Sequence, residues 1–217
     1  MAKNKNSSEK NIKNYTQHLW VFTIVNFCIF LCIFLGKDIS FNNINEAYKS
    51  LTVKDGFLVA VSTLITFVLN GLLTSNMKYV LVFWRLKYPL PGCRVFSELI
   101  NKDCRIDKNV LIEKYGTLPV EPEAQNKLWY KIYKPNEFDS MIFDSQRSFL
   151  LSRDLTGLSF LFFIVFSVAT LLSGTKINLV LIYMGFLLIQ YIILALVCRN
   201  YGNRFACNAL AKVIGSN

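Results

Sequence analysis

The chain has 217 residues, of which 53% are hydrophobic and 18% charged, with a positive mean hydropathy of +0.36. A soluble globular domain carries about a quarter charged residues, so this composition argues against a water-soluble fold. The formal charge of +10 would suit a nucleic-acid binder, but the cations follow membrane sidedness, as shown below, and no direct nucleic-acid partner is expected.

A spanning helix needs about 20 mostly apolar residues, because the hydrocarbon core is about 30 Å thick and each residue rises about 1.5 Å. Four stretches qualify. After a basic tail over 1–18, Leu19 to Leu35 carries no charge. Its apolar core is too long for a signal peptide, and no small-residue cleavage site follows. Gly56 to Met77, Leu155 to Thr175 and Ile177 to Cys198 are likewise uncharged. The organisation expected is therefore a tail over 1–18, spans one and two within 19–77 joined by an outside loop over 36–55, a helical lobe and stalk over 78–154, a hairpin of spans three and four over 155–198, and a tail over 199–217.

Lys and Arg decide orientation. The N-terminal tail has four, the 78–154 segment thirteen and the C-terminal tail three, twenty in all, against three in the 36–55 loop and one in the last hairpin. Both termini and the lobe are expected in the cytoplasm, with the chain in the inner membrane.

Span two should run on past the bilayer to Tyr88, where Pro89 and Pro91 stop it. Tyr79, Phe83 and Trp84, beside Lys78 and Arg85, read as an interfacial aromatic belt. Within the lobe, Val95 to Lys102 reads as a helix. Asp107 caps a second that ends at Gly116. Pro122 opens a third, ending at Pro135, with Leu128, Trp129, Ile132 and Tyr133 in one apolar stripe. From Asp139 the helical pattern continues unbroken into span three. Ser173-Gly174-Thr175-Lys176 supplies a tight turn. No strand pattern appears, so the fold class is an all-α integral membrane protein.

Chemistry-bearing constellations are scarce. A single histidine, His18, excludes histidine acid–base pairs and two-histidine metal sites, and no phosphate-cradling glycine loop is present. No catalytic, cofactor-binding or metal-binding residue is nominated, and no cofactor is expected. None of the six cysteines falls in an outside loop. Cys28 and Cys32, four apart in span one, read as small buried hydrophobes. The spans hold no Asp, Glu, Lys or Arg, which argues against proton coupling or voltage sensing. Their strongest polar groups, among them Asn26, Asn70, Asn178 and Gln190, suit interhelical hydrogen bonds. Thr63, Thr66 and Asn70 share one face of span two and are the candidate pore-lining residues of an oligomer, since one protomer is too thin to enclose a channel. Arg147 and Arg153 are candidate contacts to an anion or to a partner's acidic surface.

The motifs PLPGCRVFS, LPVEPEAQNKLWYKIYK, QRSFLLSRDL and RNYGNRFACNALA, spread over about residues 77 to 212, resemble a group of small uncharacterised bacterial four-helix membrane proteins. The layout is similar to that of membrane effectors in antiphage defence. The resemblance implies no enzymatic role. The expectation is a non-enzymatic inner-membrane effector or pore-forming subunit, homo-oligomeric, controlled through its lobe by a soluble cytoplasmic partner. The alternatives are an anchor or sensor scaffold that recruits such a partner, and a lipid-modifying enzyme using Asp103, Asp107 or a cysteine.

Overall fold

The computed structural model describes residues 15–34, 64 and 67–215, and among these every regular element is helical. The chain divides into two compact units: one takes in Asn76–Arg153 and the chain from Ala195 onward, the other Thr16–Ser75 and Asp154–Leu194. Both divisions at 153/154 and 194/195 fall inside unbroken helices.

The apolar unit contains α1 (Thr16–Phe34), a short helix over 67–72, and parts of two long helices, α5 (Ser140–Leu172) and α6 (Ile177–Ile214). Three helices, α1, α5 and α6, are long and apolar enough to cross a membrane. Most of the expected second span lies outside the described residues. Phe162 and Phe166 of α5 stack with ring centroids 4.9 Å apart, and Phe30 of α1 stacks on Phe166 at 4.4 Å. α5 and α6 are joined by the expected turn, in which Gly174 adopts φ +73° and Ser173 Oγ lies 2.6 Å from Thr175 Oγ1. Several polar groups in this unit find local partners, although the buried Ser167 and Tyr183 hydroxyls have no hydrogen-bond partner among the described residues. Thr23 Oγ1 donates to the Leu19 carbonyl and Asn26 Nδ2 to the Phe22 carbonyl, both at 2.9 Å. Gln190 Nε2 then donates to Asn26 Oδ1 at 3.1 Å, with Ser159 Oγ at 3.3 Å. An apolar medium requires such closure, because water is absent to compensate. Val165, Val168, Ile182, Ile189 and Ile193 stand exposed, an arrangement that suits lipid and would be costly in water. Cys28 is exposed as well, so the expected burial is not found; its thiol sits on the outer face of α1.

Span two departs from expectation. Its helix breaks at Leu73-Thr74 and resumes as α2 (Ser75–Phe83). The run Thr74-Ser75-Asn76 explains the break, because these short polar side chains compete for backbone hydrogen bonds and favour helix starts. α2 stops at Phe83 rather than Tyr88. The Trp84 amide closes the last turn onto the Val80 carbonyl at 2.8 Å, and Trp84 turns left-handed at φ 52°. Arg199 Nε takes the Val82 carbonyl at 2.6 Å, supplying from outside the helix a partner for one of its terminal acceptors. Tyr79 and Phe83, expected in the aromatic belt, are half-buried and buried respectively. They face Phe149, with ring centroids 6.0 and 6.3 Å away.

The remainder of this unit follows the sequence closely. Residues Pro91 to Lys102 are helical, but as successive 3₁₀ and π turns rather than an α-helix. α3 (Lys108–Tyr115) is capped by Asp107, whose carboxylate accepts from the Asn109 amide at 2.8 Å, and is stopped by Gly116 at φ +79°. α4 (Pro122–Tyr133) buries Trp129, Ile132 and Tyr133. Asp139 starts α5 by accepting from the Met141 amide at 3.1 Å.

The element that completes this unit is the C-terminal part of α6, which sequence reading treated as a tail. Phe205, Ala206, Ala209, Leu210 and Val213 fall on one face and lie in the same core as Val95, Phe96, Leu111, Ile132 and Ile142. Burying each large aliphatic side chain contributes about 1.5–3 kcal/mol. Small residues let the helix come close. A Cβ on Gly202 would sit 2.8 Å from Phe149 Cε2 and 3.0 Å from Phe83 Cζ. Helix propensity alone would favour Ala there by about 1 kcal/mol, yet overpacking costs about 1–3 kcal/mol. Gly202→Ala is therefore expected to lower the melting temperature of the detergent-solubilised protein; a rise would show that the rings have room to move.

Candidate functional site

Thr63 and Thr66 lie outside the described residues. Asn70 is half-buried in the 67–72 helix. Arg147 is half-buried on α5. Arg153 is turned inward: its Nη1 donates to Tyr79 Oη at 3.0 Å and its guanidinium sits 5.3 Å from that ring's centroid. Arg153 is thus committed to an aromatic partner that sequence could not supply, rather than standing open to an anion. Of the acids considered for chemistry, Asp107 is the α3 cap, and Asp103 is held by Arg105 through bonds of 2.9 and 2.7 Å. Among the described residues no group of three His, Cys, Asp or Glu is placed to hold a metal ion.

Three features unforeseen from sequence define the candidate site, all in the unit built on residues 76–153 and 195–215. The first is Gln125, 1% exposed. Its Oε1 accepts from the Phe96 and Ser97 amides at 3.0 and 3.2 Å, and its Nε2 donates to the Val120 carbonyl at 2.7 Å. One side chain thereby ties the irregular 91–102 turns to α4. The second is a cavity of about 220 Å³ whose wall includes Trp129, Tyr133, Phe149, Phe205 and Gln146. Trp129 and Tyr133 stack at 5.2 Å, and Phe205 meets both edge-on at 5.4 and 5.3 Å. Trp129 Nε1 donates to the Ala206 carbonyl at 3.1 Å, and Tyr133 Oη to Gln146 Oε1 at 3.0 Å. Burial, with Glu137 nearby, pushes the Tyr133 phenol upward, so it stays a neutral donor.

The third is a cluster of cations. Arg85 and Arg94 share one carboxylate, Glu98, at 3.8 and 3.6 Å. These separations are too long for strong hydrogen bonds. Arg94 also reaches Asn203 Oδ1 at 3.4 Å and lies 5.1 Å from the Phe83 centroid. Its Nη1 is buried with no hydrogen-bond partner among the described residues. Burial foremost, then Arg85 and Arg199, draw the Arg94 guanidinium below its ordinary range, while Glu98 opposes them. Arg199 lies 3.8 Å from the centroid of Trp84. That contact helps hold the left-handed Trp84, a conformation costing about 1–2 kcal/mol for a residue with a side chain; Tyr88 repeats it at φ 53°. Sequence hid the cluster because Arg199 lies more than a hundred residues from Arg85 and Arg94, and each read separately as an inner-side flank.

Comparison of the chain with protein-family models, with curated proteins and with solved structures finds no match in any of the three.

Two predictions follow from this geometry. Gln125→Leu keeps the volume but strands buried amides, each worth about 1–3 kcal/mol; a loss of at least about 2 kcal/mol is expected in detergent melting, and an unchanged transition would refute the role given to Gln125. The second concerns acid. The Arg105 side chain holds Asp103 below the usual carboxylate range, and Lys212, 2.9 Å from Asp139, does the same there. Both folded values are depressed, so the stabilisation is present above the ordinary carboxylate pKa of about 4 and is lost as pH falls through the lower folded values. Protection factors over residues 198–214, which correct for the intrinsic slowing of amide exchange in acid, should fall on acidification. A chain carrying Asp103→Asn and Asp139→Asn should exchange faster at neutral pH and respond less to acid.

Proposed function

We propose that this chain is a four-span protein of the inner membrane, with both termini and the 78–154 lobe in the cytoplasm. In this reading it acts as a non-enzymatic effector of the antiphage-effector kind, homo-oligomeric and governed through its lobe by a soluble protein partner. The observation that carries the reading is the continuity of α5 and α6. Each contributes core side chains to the 76–153/195–215 unit, Phe149 from one and Leu210 from the other, and each continues without a break into an uncharged apolar segment. The excess of Lys and Arg over 78–154 and in both tails supports the inward orientation, and the exposed apolar faces support lipid contact.

A reading as a sensor scaffold is favoured by one specific feature, the aromatic-walled cavity beside Gln146, whose size suits a small planar ligand. The two readings separate on span two. Replacing Thr63, Thr66 and Asn70 together with Leu abolishes ion or dye leakage by the activated protein in the effector reading and leaves scaffold function intact in the other. Topology is tested separately. Tags at either terminus should be protected from protease in intact spheroplasts, and their cleavage there would overturn the orientation.

A further inference from the structure

We propose that Arg85, Arg94 and Arg199, together with the exposed turn from Trp84 to Tyr88, form a binding site for the phosphate of an anionic phospholipid headgroup. The inference deepens the membrane reading above and rests on it. Its first support is charge. Two guanidiniums, Arg85 and Arg94, share the Glu98 carboxylate at only 3.8 and 3.6 Å, and Arg199 is near enough to Arg94 to act on its charge. The mutual repulsion of the arginines is felt at Arg94, where Arg85 and Arg199 both disfavour the charged form. A phosphate anion relieves that repulsion.

The second support is an unmet donor. Arg94 Nη1 is buried without an acceptor among the described residues, while the same guanidinium is fixed by Asn203 and Phe83. A fixed guanidinium with a spare N–H matches the oxygens of a phosphate, which guanidinium groups bind in a planar fork.

The third support separates a lipid from a free phosphate. Trp84, Leu86 and Tyr88 are exposed, Leu86 to 86%, and alternate with Arg85 and Lys87. An aromatic, aliphatic and basic mixture is the composition of segments that sit at headgroup depth. A site for soluble phosphate has no use for an exposed leucine. Two exposed aromatic residues in the left-handed conformation, Trp84 and Tyr88, bracket the turn. Arg199, stacked on Trp84, links the turn to α6.

The test uses the full chain, purified in mild detergent and incubated with phosphatidylglycerol or phosphatidylcholine, with retained lipid read by native mass spectrometry. Phosphatidylglycerol should be retained preferentially. Arg85→Gln and Arg94→Gln should each lower its apparent affinity, by about tenfold for Arg94, the size expected for one charge-assisted bond, with phosphatidylcholine retention unchanged. Arg85 is half-exposed, so its variant keeps the test valid if Arg94→Gln unfolds, which a melting curve reports. Lys102→Gln, at an exposed cation outside the cluster, should change nothing. Equal retention of the two lipids, equal loss in the Lys102 variant, or displacement of phosphatidylglycerol by millimolar inorganic phosphate would each overturn the assignment. Lipid retention is blind to orientation, so a failed tag experiment and a failed lipid experiment are distinguishable.

Discussion

The unit assembled on residues 76–153 depends on the grip it takes on the C-terminal part of α6. Eight contacts along sixteen residues hold that helix: Cys198 Sγ to the Phe149 carbonyl, Arg199 to Val82 and Trp84, Asn203 to Arg94, Ala206 to Trp129, Asn208 to Arg105, Lys212 to Asp139, and Val213 to Lys114. Several use a charged or ring donor against a backbone carbonyl. The Lys114 ammonium reaches the Val213 carbonyl at 3.3 Å, where the end of a helix is partly negative and carries unsatisfied acceptors. Between these anchors runs the apolar face from Phe205 to Val213. Directional bonds fix the position and rotation of the helix, and burial supplies most of the driving force.

Much of the architecture was legible in the sequence, and for local reasons. Asp107 and Gly116 bound α3 because a carboxylate can accept from the second amide of a helix and glycine tolerates positive φ. Pro122 opens α4 because its missing N–H would be unsatisfied there anyway. Gly174 turns the chain between α5 and α6 for the reason Gly116 does. The length of α5 could be read because no breaker interrupts it. Signals that depend on distant partners were not legible. The tail RNYGNRFACNALAKVI has an apolar face at 205, 206, 209, 210 and 213, but its cations masked that face as a topology flank. Gln125 looked like one more polar helix residue, since its partners lie near 96 and 120. The stop of α2 at Phe83 could not be read at all, because its cap is an arginine 117 residues away.

The polar groups of the apolar unit show economy. Asn26 satisfies its own helix with Nδ2 and offers Oδ1 to Gln190, so two amides close most of each other's needs. That arrangement pins α1 to α6 at a defined height and needs no ion. Interhelical bonds of this kind in membranes are worth about 0.6 kcal/mol on average, so their value lies in register more than in strength. The stacked rings of Phe30, Phe162 and Phe166 supply the packing around them.

The order of synthesis has a consequence for biogenesis. Trp129 and Tyr133 leave the ribosome well before Phe205 and Leu210, and two greasy segments emerge in between. The aromatic half-core must therefore remain incomplete while those segments are handed to the bilayer. Nascent α4 can pack against the 91–102 turns during that interval, but it lacks the face that Phe205 and Leu210 later supply. Insertion of the hairpin and maturation of the soluble-looking unit are in this way sequential events, the second waiting on the first.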